Sequence, residues 1–338
     1  MKRDATILAV LVVAAALLPA VASEFALSLA LACLMYVALA SSWSLFCGAT
    51  RYLSLATSAF FGIGAYTSAL LLGSVPWLAA VALAALIAAA IALVMGAAVL
   101  HLRGTYFAVL TFGMTELIRH AVTYFEKQVT GTVGRVLMVV PDDSTVYFTM
   151  LGIAALAMIV AIGVRASRFG LALTGIGADE QRAQTLGVDT PRMKTLGFAL
   201  TAAFAGATGA AMAVRWTYID PVTVFNPFIG FQTVLIALIG GAATLWGPLA
   251  AAIVFSVLAE TLRLQLPQAY MMALGLMLIV SVMVLPDGLG SLNRAQLRRW
   301  LPGRPQSRLS AGLPHSPDGR AGDGGDDQPG SRGEARHG

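Results

Sequence analysis

Ten apolar runs succeed one another along the chain, most of them long enough to cross a bilayer. They read Ala5 to Ala22, Phe25 to Phe46, Leu55 to Leu72, Pro76 to Leu100, Thr105 to Val122, Val146 to Val164, Thr195 to Val214, Phe228 to Gly241, Pro248 to Leu262 and Ala269 to Leu285. No other feature constrains the fold as strongly. About 20 apolar residues in a helix match a hydrocarbon core of roughly 30 Å, and in lipid only helices or closed barrels satisfy their own backbone groups. With 58% hydrophobic and 12% charged residues, the chain is far from the roughly 25% charged content of soluble domains. The fold expected is all-α: a polytopic membrane bundle of about ten transmembrane spans.

Charge placement orients the bundle. The net charge of +5 does not indicate nucleic acid, because the basic residues sit at the ends of apolar runs, where membrane orientation needs them. With the N-terminus in the cytoplasm, one side receives Lys2, Arg3, Arg51, Arg103, Arg165, Arg168, Arg182, Arg192, Lys194, Arg294, Arg298 and Arg299. The other receives Arg119, Lys127, Arg135, Arg215 and Arg263. Twelve against five satisfies the positive-inside rule and assigns both termini to the cytoplasm. The first run ends Leu-Pro-Ala-Val-Ala-Ser, with Ala20 and Ala22 spaced like a signal-peptidase site; the charge bias favours a retained first span.

The largest interruption on the cytoplasmic side is the polar loop 165–194, within an expected membrane domain of residues 1–292. Asp179 is placed to cap a short helix of about two turns, Glu180 suits its first turn, and Gly187 is a natural left-handed stop. Glu180, Ala183 and Gly187 then share a face with Leu186 beside them. Thr190 is expected to cap the next helix, with Pro191 at its first position. So short a helix is marginal alone in water, so it is either a docking element for a partner or an ordinary connector.

Two segments stand apart by their small residues, Ser58 to Ala69 and Gly240 to Pro248. Ser58, Gly62, Gly64, Gly206, Gly240 and Gly241 are the candidates for tight helix crossings or for broken helices along a route through the bundle. Glu116 with Arg119, and Glu260 with Arg263, are spaced to pair; near the ends of the expected spans they read as self-neutralised anchors. Thr123 to Thr145 reads as the longest external loop, and residues 293–338, rich in Gly, Pro, Ser, Asp and Arg, as a disordered cytoplasmic tail, its basic start suited to anionic lipid headgroups. Cys33 and Cys47 lie in or near one apolar run and read as packing residues.

Chemistry is conspicuous by its absence. There is no phosphate-binding GxxxxGK[ST] loop, HExxH, CxxC or GxSxG in the sequence. No catalytic residue, metal ligand or cofactor is assigned. Transport is the leading class, with energy taken from a partner or from an ion gradient. The rival from a different class of transport is an ion-coupled secondary transporter or channel acting without an ATPase; a third reading is a membrane enzyme or assembly factor using the loop as a scaffold.

Leu53 to Leu71 (LSLATSAFFGIGAYTSALL), Leu102 to Arg119 (LRGTYFAVLTFGMTELIR), the loop 165–194 and Gly240 to Pro248 (GGAATLWGP) together resemble the Liv-type permeases of branched-chain amino-acid ABC importers, and the LivM branch in particular. The resemblance covers about residues 25 to 292. It implies a type II importer-like fold in the bacterial inner membrane, a second Liv-type permease, two cytoplasmic ATPases that alone bind ATP, and a periplasmic solute-binding protein. It also implies that Asp179, Glu180, Ala183, Leu186 and Gly187 form the helix that couples to the ATPase. The chain departs from the family pattern at Arg182, usually alanine, and Gln184, often glutamate. The external stretch from Thr130 to Arg135 is likewise an incomplete match.

Overall fold

The structure, a computed structural model, describes residues 2–265 apart from 103, 138–140 and 217, together with the isolated positions 272, 275, 276 and 279. The chain divides into two units, Met1–Gln296 and Leu297–Gly338, and only the first holds described residues. The expected tenth span at Ala269 to Leu285 lies, but for those isolated positions, outside the described residues, as does the tail.

Helices dominate. In chain order they are α1 (Lys2–Val21), α2 (Glu24–Trp43), α3 (Thr57–Leu71), α4 (Trp77–Val99), α5 (Thr105–Thr130), α6 (Asp143–Ala166), α7 (Arg168–Ala178), α8 (Glu180–Thr185), α9 (Thr190–Ala213), α10 (Pro221–Val224), α11 (Pro227–Gly240) and α12 (Gly247–Gln265). A single π turn, Ser44–Gly48, continues α2, and a two-residue antiparallel ribbon pairs β1 (Arg135–Val136) with β2 (Tyr218–Ile219). Seven spans among the described residues are long and apolar enough to cross a membrane, with α10 and α11 together making one of them.

The remaining expected spans differ from the sequence reading. Instead of Leu55 to Leu72, α3 has 15 residues, about 22 Å at 1.5 Å per residue, short of a hydrocarbon core. It is enclosed by other helices, every residue from Thr57 to Ser68 being buried. The α5 helix does not stop near Val122 but continues to Thr130, so most of the first part of the expected external loop is helix. Of the two segments expected as crossings or breaks, α3 is continuous through Ser58 to Ala69, whereas Gly240 to Pro248 does hold the break between α11 and α12. A further break falls at Phe225 and Asn226, where Asn226 Oδ1 accepts from Phe228 N at 2.9 Å to start α11.

The centre of the bundle is a seam of small residues. On α4, Ala80, Ala84, Ala88, Ala92 and Gly96 recur every fourth residue and are all buried, forming one stripe along the helix. It faces α9, whose Ala202, Gly206 and Ala210 follow the same spacing. A β-carbon on Gly206 would press on Ala88 and lie 3.0 Å from the Ala84 carbonyl oxygen; on Gly64 of α3 it would overlap the Gly206 carbonyl, and on Gly209 the Phe61 carbonyl. Backbone thus lies on backbone where α3, α4 and α9 converge.

Polar contacts sort the helix ends. Trp246 Nε1 donates to Asp4 Oδ1 at 3.2 Å, and Arg165 donates to Ala243 O at 3.0 Å and Thr244 O at 2.7 Å. The start of α1, the end of α6 and the α11–α12 link therefore meet at one end, called here the loop end. At the opposite end Arg215 reaches Asp143 at 3.4 Å and Ser28 at 3.0 Å.

Replacing Gly64 or Gly206 with alanine is expected to lower stability by about 1–3 kcal/mol through overpacking. Gly152→Ala, at a site with no atom within 4 Å of the added carbon, leaves it unchanged or raises it. Thermal unfolding of the detergent-solubilised protein measures the difference.

Candidate functional site

The loop 165–194 is more structured than its polarity implies. Ser167 starts α7 by accepting from Gly170 N at 3.2 Å, and Leu173 and Ile176, one turn apart, are buried. Leu173 packs with Leu45 and Ala161, which lays α7 against the bundle. The sequence reading missed α7, because its apolar contacts are only two and are set among glycines.

Next comes α8, with both ends closed. Asp179 Oδ1 accepts from Gln181 N at 3.0 Å and Arg182 N at 3.1 Å. At the far end Gly187, with φ of 85°, lets its N–H reach Gln184 O at 2.9 Å while Val188 N reaches Ala183 O at 3.1 Å. This pair of bonds is the Schellman stop, which a left-handed glycine permits. The following helix is capped by Asp189, whose side chain accepts from Arg192 N at 3.2 Å, and not by Thr190. Thr190 is the first residue of α9, buried and turned to other work.

That work is a buried polar cluster. Lys194 Nζ lies 2.7 Å from Glu180 Oε1, donates to Leu100 O at the end of α4 at 2.8 Å, and donates to Tyr52 OH at 3.2 Å. Tyr52 OH donates to Glu180 Oε2 at 2.7 Å, and the ammonium stands 4.8 Å from the Tyr52 ring centroid. Gln184 donates to Thr190 Oγ1 at 2.8 Å, and Thr190 Oγ1 to Glu180 Oε1 at 3.3 Å. Both charged side chains are more than nine-tenths buried. One carboxylate thus ties the six-residue α8 to α9 and to the approach to α3, and through Lys194 to the end of α4.

The five loop candidates consequently divide. Glu180 and Ala183 face inward, into the bundle, and do not share an outward face with Gly187. Asp179 and Gly187 close the helix at its two ends. Leu186, 84% exposed, stands outward at the loop end beside Arg182. Tyr52 and Lys194 were missed by the sequence reading as site residues, and Thr190 was read only as a cap; a lysine fourteen residues from its glutamate carries no local signal.

The six packing candidates lie deep in the bundle. Ser58 is buried with its oxygen 3.3 Å from where a Gly230 β-carbon would stand, and a β-carbon on Gly62 would meet the Phe225 ring. Gly64 and Gly206 touch, Gly240 abuts Gly247, and Gly241 ends α11 with φ of 87°. None is among the described residues lining a cavity at the end opposite the loop, a space of about 590 Å³ between α2, α11 and α12. Its wall includes Met35, Phe61, Trp216 and Phe228, and Tyr36 OH donates across it to Gln232 Oε1 at 2.8 Å. Nearby, the buried Glu126 accepts from Tyr66 OH at 3.1 Å, Gly134 N at 2.9 Å and Arg135 Nε at 3.2 Å.

A bundle with seven apolar spans among the described residues, small-residue seams and a tethered short helix at one end is that of a multi-pass membrane protein. The chain matches over residues 25–283 the family described as branched-chain amino acid transport system / permease component, and it belongs to that family. It is 26% identical to the high-affinity branched-chain amino acid transport system permease protein LivM of Salmonella typhimurium and, equally, to that of Escherichia coli; each alignment covers 88% of this chain and 77% of the relative. No solved structure matches it.

Removing one partner of a buried pair leaves an uncompensated charge. Lys194→Met is expected to destabilise the protein by about 3–5 kcal/mol, and adding Glu180→Gln to recover most of that loss. The comparison is made by thermal unfolding of the single and double variants.

Proposed function

We propose that this chain is a transmembrane subunit of an ATP-driven ABC importer for branched-chain or related small amino acids, worked through α8 by a partner ATPase. The observation that carries the reading is the construction of α8: a six-residue helix closed at both ends, bolted inward by Glu180, and presenting Leu186 and Arg182 outward. A helix of that length is marginal unsupported. Here the bundle supports one face and leaves the other free to seat in a groove. Asp179 and Gly187 hold its ends, Ala183 packs it, and Leu186 enters the partner.

In this mechanism the ATPase pair closes on ATP and pushes α8. Because Glu180 is bonded to Lys194 and Tyr52, the displacement passes into α9, α4 and α3 as a body, and the permease changes between outward-open and inward-open states. ATP is bound by the partners alone, and this chain makes or breaks no covalent bond. The assembly comprises a second Liv-type permease, two cytoplasmic ATPases and a periplasmic solute-binding protein, in a type II importer arrangement in the bacterial inner membrane with both termini cytoplasmic. The named activity of the two relatives and the one-sided distribution of basic residues support this reading.

Gly187→Val, a β-branched residue forced to positive φ, is expected to abolish ATP-dependent leucine uptake by the reconstituted complex and to uncouple ATP hydrolysis from solute, with normal expression. Unchanged uptake would remove α8 from the mechanism. ATP-independent uptake by vesicles holding this chain alone would favour the gradient-driven rival.

A further inference from the structure

Among the described residues, α5 is the single helix of 18 or more that is not apolar enough to count as a membrane span. It nonetheless traverses the bundle. Near its start Phe107 packs on Tyr52, in the cluster at the loop end, and near its finish Glu126 bonds Tyr66 toward the opposite end. Glu116 lies nine residues after Phe107 and ten before Glu126, roughly 15 Å along the helix from either. Its ion pair with Arg119 forms as the spacing predicts, but midway between those two levels and not near an end of the helix. His120 Nε2 stands 3.9 Å from Glu116 Oε2 and 3.5 Å from an Arg119 guanidinium nitrogen.

These three groups reach the outer surface of the subunit. Glu116 and Arg119 side chains are each about a quarter exposed and that of His120 is 74% exposed. They share that surface with Leu117 and with Gly113, where a β-carbon would meet nothing within 4 Å. The contrast with α4 is direct, since its outward residues Leu78, Leu86, Leu93 and Val94 are all apolar, as a surface in contact with lipid tails should be. An ionisable side chain at mid-membrane is costly in lipid and belongs to a water-filled route or to protein.

We propose that Glu116, Arg119 and His120 are a contact point on an aqueous solute route along α5, and that they receive a zwitterionic amino acid, the carboxylate at Arg119 and the ammonium at Glu116. The apolar residues of the same surface, Leu110 and Leu117, are left for an aliphatic side chain. For its cargo this inference rests on the importer reading; for the presence of water it does not.

Two measurements test it. Gly113→Cys and His120→Cys, introduced singly, are treated with a membrane-impermeant cationic methanethiosulfonate in the assembled complex, with Leu86→Cys and Val94→Cys as controls and the unsubstituted chain as background. Reaction at least roughly tenfold faster than the controls, slowed by added leucine, is expected; rates equal to the controls would overturn the proposal. Next, Glu116→Gln and Arg119→Gln are each expected to lower leucine uptake at least about tenfold. The exchange Glu116→Arg with Arg119→Glu keeps an ion pair but reverses the charges, and is expected to restore thermal stability without restoring uptake. Full recovery of uptake by the exchange would reduce the pair to a structural role and overturn the binding role. If the unsubstituted complex shows no ATP-dependent leucine uptake, the importer reading fails, while the labelling still decides whether the surface is wet.

Discussion

Where Gly64 of α3 meets Gly206 of α9, two helix backbones lie in contact, and the rest of the bundle is arranged about that seam. Lipid offers no hydrophobic drive for one helix to seek another, so association rests on dispersion between closely fitted surfaces and on a few polar bonds. The alanine stripe of α4 and the small residues of α9 provide that fit over several turns. A helix as short as α3 is stable within the membrane layer only because its neighbours enclose it. Its polar approaches are then dealt with at each end by a tyrosine bonded to a buried carboxylate, Tyr52 to Glu180 and Tyr66 to Glu126.

Those two carboxylates give the molecule its mechanical character. Each gathers donors from segments far apart in sequence, Glu180 from α9 and the approach to α3, Glu126 from α3 and the β1 ribbon. A charge so enclosed is held by geometry more than by net energy, since desolvation offsets much of the attraction. What the clusters contribute is definition: a displacement of α8 has no slack to take up before α9 and α4 feel it. The cavity opposite the loop end and the polar surface of α5 are by contrast open, as the proposed solute route requires.

The parts of this structure legible in sequence were those governed by local rules. Apolar run lengths gave the membrane bundle and nine of its helical segments. Asp179 and Gly187 announced the ends of α8 because caps are decided within four residues of the backbone groups they satisfy. What depended on distant partners was not legible: the inward turn of Glu180 requires Lys194 and Tyr52, and the full length of α5 requires Tyr66 to take Glu126. The capping role given to Thr190 fell to Asp189 because Thr190 was already engaged by Gln184 and Glu180. Because α5 runs on to Thr130, Glu116 and Arg119 fall within the helix and not near its end.

The seam also bears on how such a sequence can drift over generations. A methyl group added at Gly64 or Gly209 would strike carbonyl oxygen and not a neighbouring side chain, so no trimming of the residue opposite can make room for it. Most packing changes in a protein core can be reconciled by a second, matching change; here the only accommodation is a shift of an entire helix, with both tyrosine–carboxylate joints carried along. Mutational paths through this part of the chain are therefore closed one step at a time, whereas a side chain added at an open position such as Gly152 meets no such barrier.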